Sequence, residues 1–365
     1  MGDGEAGALR EIRRRLLLAG VAALCAVLAG GLYVANRSHA PAAGAAPAAV
    51  ARGLSCPAAG HCLVVDDQGN VLRLDHDHWS ARRSLSRDGL GAISCPTRSF
   101  CVTVGVNGSA AHFDGRSWSR LQRIDVGASN HVDAHGTSGL SAVSCPTARF
   151  CMAGDALGRT LTYDGHGWSE PTPIEPTRLA EKDQFFGNAG ITGISCPTPG
   201  FCAAVTDYGR AMTFNGATWS APVRLDPAPA RARALALALP ALTAVSCSSA
   251  DHCVAVDSSG NAFTYGARSW SPPTPVDLQS SSHGAHDGLQ AVSCPSATFC
   301  AAGDGSGFVL TLQGSRWSAP VQIAQGIGIG AISCPAAGSC VALDDIGDAL
   351  TSEGSSWSKL RALGT

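Results

Sequence analysis

The apolar positions change rhythm along the chain. From Leu16 to Ala35 they run through twenty residues without a charge, enough at helical rise to cross roughly 30 Å of hydrocarbon. From Pro41 to Ala51, alanine, proline and glycine replace any period, as in a linker. Beyond that the pattern is short and β-like. Small-apolar runs such as Leu140-Ser141-Ala142-Val143-Ser144 and Val254-Ala255-Val256 predict strands buried on both faces. Leu161-Thr162-Tyr163, Met212-Thr213-Phe214 and Phe263-Thr264-Tyr265 alternate instead, the period of a strand with one wet face.

These strand signals recur on a fixed frame. Fourteen of the 15 cysteines form seven pairs with five residues between partners: Cys56 and Cys62, Cys95 and Cys101, Cys145 and Cys151, Cys196 and Cys202, Cys247 and Cys253, Cys294 and Cys300, Cys334 and Cys340. Each first cysteine follows a serine, and a Trp-Ser pair begins 23 positions later, at Trp79, Trp118, Trp168, Trp219, Trp270, Trp317 and Trp357. A glycine stands seven positions after every second cysteine, from Gly69 to Gly347, where a hairpin needs positive φ. A fourth strand is expected from each tryptophan to an apolar residue six positions on, such as Leu85 or Ile174.

A period of this length with four strand signals per unit predicts an all-β, seven-bladed β-propeller over residues 52–365, with four antiparallel strands and one disulfide per blade. Cysteines at adjoining ends of a hairpin can meet the Cα separation that a disulfide requires. Zinc would need two pairs per ion, and seven is odd, so the cysteines read as staples. Asp66, Asp155, Asp257, Asp304 and Asp344, three residues before the hairpin glycine, read as turn caps, because calcium needs six or more converging oxygens.

The repeated Ser-Cys-Pro, Phe-Cys, Asp-x-x-Gly, Gly-x-x-Trp-Ser pattern, from Leu54 to Leu363, resembles the exported cysteine-rich propeller repeats of actinobacteria. The resemblance implies a propeller fold and an extracytoplasmic place, with no shared activity. Asp164-Gly165-x-x-Trp168 is also similar in part to the Asp-box of sialidases, which carries one more residue between Asp and Gly.

Charge sets the topology. Arg10, Arg13, Arg14 and Arg15 flank the apolar run on its N-terminal side, which predicts a cytoplasmic tail (1–15), a transmembrane helix (16–35), a linker (36–51) and an exported body in the cell envelope. The run is longer than a signal-peptide core, and Ser38-His39-Ala40 is followed by Pro41, so a retained anchor is expected rather than cleavage. Export also supplies the oxidising compartment that disulfides need. A net charge of −2 with no long basic or acidic run sets a nucleic-acid binder aside.

Function is sought where the repeat varies. From each tryptophan to the next unit's first cysteine the distance is 16, 27, 28, 28, 24 and 17 residues, so four consecutive connections are long. Loops on a rigid scaffold are where binding usually lives. The long connections carry His131, Asp133 and His135; Lys182, Phe185 and Phe186; Arg231 and Arg233; and His283, His286 and Asp287. His131, Asp133 and His135 would share one side of an extended segment and so could hold a transition metal, but two exposed loop histidines beside an acid is the preferred reading. Phe185 and Phe186 are either loop packing or a partner contact. No Gly-x-Ser-x-Gly elbow, His-Glu-x-x-His or phosphate loop occurs, so no catalytic residue, resident metal or cofactor is assigned. The expected function is an anchored recognition or scaffold module binding a protein or cell-wall glycan. The alternative is a glycan-active hydrolase or lyase, which would need the loop acids and histidines to converge.

Overall fold

The computed structural model describes residues 49–76, 78–127, 139–175, 190–225, 240–277, 288–354 and 356–359. Among these, strands pair antiparallel and in chain order within seven separate sheets. The third blade shows the plan: Leu140–Thr147 pairs with Phe150–Asp155, that with Arg159–Tyr163, and that with Thr172–Pro173. The innermost strands of successive blades lie side by side, and Ile329–Ala336 of the last blade lies beside Ala51–Ala58 of the first, closing the ring. The ring belongs to one unit, Ala49–Thr365. Every blade is one consecutive run of chain, and no described strand is lent across the seam.

Burial follows position in the ring. The second strand is the most enclosed: within Phe201–Thr206 every residue after the first is buried, as expected for a strand pressed between neighbouring blades. Small side chains there, such as Ala203 and Ala204, let the blades approach. The innermost strand departs from the expectation of burial on both faces. In Leu140–Thr147, Ser141, Ser144 and Pro146 stay partly accessible, because this strand has a partner in its own sheet on one side only.

The outermost strand also differs from the continuous element expected. In the first blade it is two pieces, His78–Trp79 and Arg83–Ser84, both paired with Asn70–Asp75. The Trp-Ser serine explains the break. Ser80 Oγ accepts the Arg73 N–H at 3.0 Å and donates to the Ala81 carbonyl at 3.1 Å, replacing a ladder bond while the chain bulges. Ser119, Ser169, Ser220, Ser271 and Ser318 do the same. In the last blade the outer strand, Ser356–Lys359, pairs without interruption.

The core is a series of junctions between blades. That between the fourth and fifth blades buries Val205, Leu225, Leu242, Phe263 and Tyr265, with Trp270 at its edge. The seam between the last and first blades splits into two smaller clusters, Val64, Leu72, Leu343 and Ala349 in one and Cys56, Cys62, Leu74 and Val341 in the other. A hydrogen bond repeats at every junction. The N–H of each first cysteine donates to the Oγ of the Ser-Cys serine one blade earlier, as in Cys95 to Ser55 at 3.0 Å and Cys196 to Ser144 at 2.9 Å. The serine of every Ser-Cys pair therefore joins neighbours.

All seven predicted disulfides form, with Cα separations of 3.9 to 4.1 Å. Cys56 bonds Cys62, Cys95 bonds Cys101, Cys145 bonds Cys151 and Cys196 bonds Cys202. In the last three blades Cys247 bonds Cys253, Cys294 bonds Cys300 and Cys334 bonds Cys340. The second cysteine of each pair is the more deeply placed: Cys101, Cys202, Cys253 and Cys300 are wholly enclosed and Cys340 nearly so, because they stand on the strand pressed between blades. Closing so short a loop contributes about 2 kcal/mol per blade on the chain-entropy account.

The seven hairpin glycines sit at φ between 68° and 91°. The aspartates before them cap the turn: Asp155 Oδ1 accepts the N–H of Leu157 at 2.9 Å and of Arg159 at 2.7 Å. Among the described residues no helix is long and apolar enough to cross a membrane. The segment 16–35 lies outside them.

Candidate functional site

Every connection between blades runs from the end of an outer strand to the start of the next innermost strand. That is the end of the blade where the second and third strands turn, so all the connections leave on one face. The segments 128–138, 176–189, 226–239 and 278–287 are not among the described residues. His131, Asp133, His135, Lys182, Phe185, Phe186, Arg231, Arg233, His283, His286 and Asp287 all fall within them. The structure describes the roots of these segments instead.

Two of the roots are built on buried ion pairs. Asp125, just before the first long segment, is 1 % exposed and accepts from Arg159 Nη2 at 2.8 and 2.7 Å. Arg159 belongs to the next blade and also donates from Nε to Asp155 Oδ2 at 2.6 Å. One guanidinium thus serves two buried carboxylates across a junction. Burial pushes the Asp155 carboxyl upward, against the pull of the Arg159 side chain and backbone N–H. One blade on, Glu175 Oε2 accepts from Arg210 Nη1 at 2.8 Å. Burial raises Glu175 too, and Arg210 opposes it.

The two acids share a repeat position, seven residues after the tryptophan. Asp226 and Asp277 occupy it before the other two long connections, whereas Ser86 and Ala324 occupy it before the short ones. An acid at this repeat position thus accompanies length in the connection that follows it. Asp277 is buried beside Asp304, with Phe308 where Arg159 and Arg210 stand in their blades. Burial first, then the nearby Asp277, pushes Asp304 up to about 6. The sequence reading passed over this acid position, although its coincidence with connection length was there to be seen.

Concavities lie on the outer wall. A cleft of about 690 Å³ between the fourth and fifth blades is lined by Val223, Arg224, Tyr265, Arg268 and Trp270 among others. A smaller one of about 130 Å³ between the second and third is lined by His112, Tyr163, His166 and Trp168.

On the opposite face, His61, Asp75 and His76 of the first blade offer ligand atoms within 4.8 Å of one another, the one such group among the described residues. Desolvation, with Arg98 nearby, holds the His61 imidazole below its ordinary pKa.

No protein-family model matches the chain, and no curated protein matches it. Solved structures do. YCF48 bound to a D1 peptide superposes with a TM-score of 0.59 at 14% identity, over 84% of this chain and 92% of that one. YCF48 from Cyanidioschyzon merolae superposes with a TM-score of 0.60 at 14% identity, over 85% of this chain and 97% of that one. At this identity the likeness is one of fold, and the chain is a seven-bladed β-propeller with a disulfide in every blade.

Proposed function

We propose that this propeller is a protein-binding scaffold, tethered to the outer side of a cell membrane by its N-terminal helix, that holds its partner on the face bearing the four long connections. The observation that carries the reading is the contrast between the two ends of the blades. The disulfide ends repeat closely, while the other face gathers all the variation in length and roots it on buried acids paired, at two junctions, with an arginine of the next blade. Rooted loops on a rigid ring keep a recognition surface in place at low entropic cost on binding.

The protein partner is favoured over a glycan by likeness: a propeller of this fold, YCF48, is known in complex with a D1 peptide. The extracytoplasmic setting is favoured by seven disulfides, which persist in oxidising compartments, and by the arginine-flanked apolar run 16–35.

The test is cross-linking and capture from envelope extracts with the full chain, beside a variant in which 128–138, 176–189, 226–239 and 278–287 are cut to the length of the first connection. A protein captured by the full chain and lost on trimming supports the reading. Capture that trimming leaves intact, or capture of glycan alone, overturns it.

A further inference from the structure

We propose that His61, Asp75 and His76 form a binding site for one divalent transition-metal ion of the zinc class, on the face opposite the long connections. His61 opens the second strand of the first blade and Asp75 ends the third, and the two are direct cross-strand partners. His76 follows in the turn, pinned by its N–H to the Gly60 carbonyl at 2.6 Å. Nδ1 of His61 lies 3.1 Å from Asp75 Oδ1, and Nδ1 of His76 lies 3.0 Å from the same oxygen. The two rings meet edge to face at 5.0 Å. Two imidazoles and a carboxylate on one side of an ion, with the other side left to water, are a donor set suited to zinc, cobalt, nickel or copper.

The two histidines depart from the repeat, while Asp75 stands where Asp114 and Asp164 stand in the next two blades. At the His61 position Phe100, Phe150, Phe201 and Phe299 stand in other blades. The fifth blade has His252 there, but Gly266 takes the place of Asp75, so the pair is absent. At the His76 position other blades have Gly115, Gly165, Gly216, Gly314 and Gly354, all at positive φ. His76 holds the same left-handed conformation, φ 56°, with a side chain attached, as Ala267 does in the fifth blade at φ 49°. The turn therefore tolerates a side chain here, and in this blade that side chain is an imidazole set beside His61 and Asp75.

The surroundings suit an ion. Arg73 Nη2 stands 3.6 Å from Asp75 Oδ2, leaving Oδ1 to the histidines, an outer partner that orients a ligand. His61 Nδ1 is shut off from solvent, and no described residue hydrogen-bonds it despite the nearby carboxylate. A metal between the ring and Asp75 Oδ1 would give this nitrogen a bond where it now has only an ion-pair contact.

The repeat also provides the test substitutions, since His61→Phe, Asp75→Asn and His76→Gly each install the residue of another blade. The full-length chain, stripped of metal, is titrated with Zn²⁺ by calorimetry and with Co²⁺ by visible absorption. A further variant replaces His131, His135, His283 and His286 by alanine. The expected result is one Zn²⁺ per chain, weakened at least about tenfold by each of the three blade substitutions and unchanged in the four-histidine variant. A Zn²⁺-dependent rise in Tm, absent from His76→Gly, would accompany it. Failure of the wild-type chain to bind Zn²⁺, equal binding after His61→Phe or His76→Gly, or loss confined to the four-histidine variant would overturn the proposal.

Discussion

The N–H of Cys56 donates to Ser333 Oγ at 3.0 Å across 277 positions of sequence. It is the bond found at the other six junctions, where the partners are 40 to 52 positions apart. The seam therefore has the polar join of every other junction but a divided apolar core. Ser333→Ala is expected to cost about 1 kcal/mol and to speed hydrogen exchange in Ala51–Ala58 and Ile329–Ala336. Ser144→Ala, at an undivided junction, should cost a similar amount without a local rise in exchange. Denaturant midpoints and exchange by mass spectrometry compare the two.

Arg159 hydrogen-bonds two buried carboxylates, so its removal takes a cation from both. Arg159→Met keeps the bulk and loses the charge, and should cost about 3 kcal/mol or more. Adding Asp125→Asn and Asp155→Asn to that variant should recover much of the loss. Urea unfolding of the three chains measures it.

Asp304 makes stability depend on pH in an unusual direction. Its folded pKa, about 6, is above the ordinary value of 3.8, so between these values the folded chain keeps a proton that the unfolded chain has released. This group's contribution therefore falls as pH rises from about 4 to about 6, by on the order of 1–3 kcal/mol. Asp304→Asn retains an Oδ1 acceptor for the Ser306 and Phe308 N–H groups. It should be more stable than wild type above pH about 6 and lack this part of the pH dependence. Unfolding curves of both chains across the window give the difference.

Each disulfide can be removed singly. Replacing Cys145 and Cys151 together by alanine should lower stability by about 2 kcal/mol and leave the propeller folded, because the junction keeps the N–H bond from position 145 to Ser94 Oγ. Both sulfurs are buried, so thiol reagents should label the reduced pair only after denaturation. Denaturant titration and alkylation mass spectrometry check the two statements.

The blade frame was legible because each signal is local. A disulfide across a hairpin, a glycine at positive φ and an aspartate capping its own turn all act within a few residues, and each recurs in register with the tryptophan. The work of the repeated serines was not legible in the same way. Ser94 and Ser80 read simply as members of the pattern, while their partners, Cys145 and Arg73, lie in the next blade and on the neighbouring strand. The acids at Asp125 and Glu175 escaped attention because their arginines stand 34 and 35 positions on. His61 and His76 were missed for another reason: departures were sought in the long connections, and these two depart within the regular part of the first blade. The residues chosen in those connections, from His131 to Asp287, are outside what the structure describes, so the expected rim rests on the roots beneath it.

Since each blade is a single run of chain and the seam carries the same serine bond as the other junctions, the order of the blades along the chain does not decide which sheets form. A circular permutation of the ring beginning before Leu140 or Leu289, with the last blade joined to the first, would rebuild the same seven sheets and the same ring of serine bonds. The divided seam core is then the cost that an opening at another junction would move elsewhere.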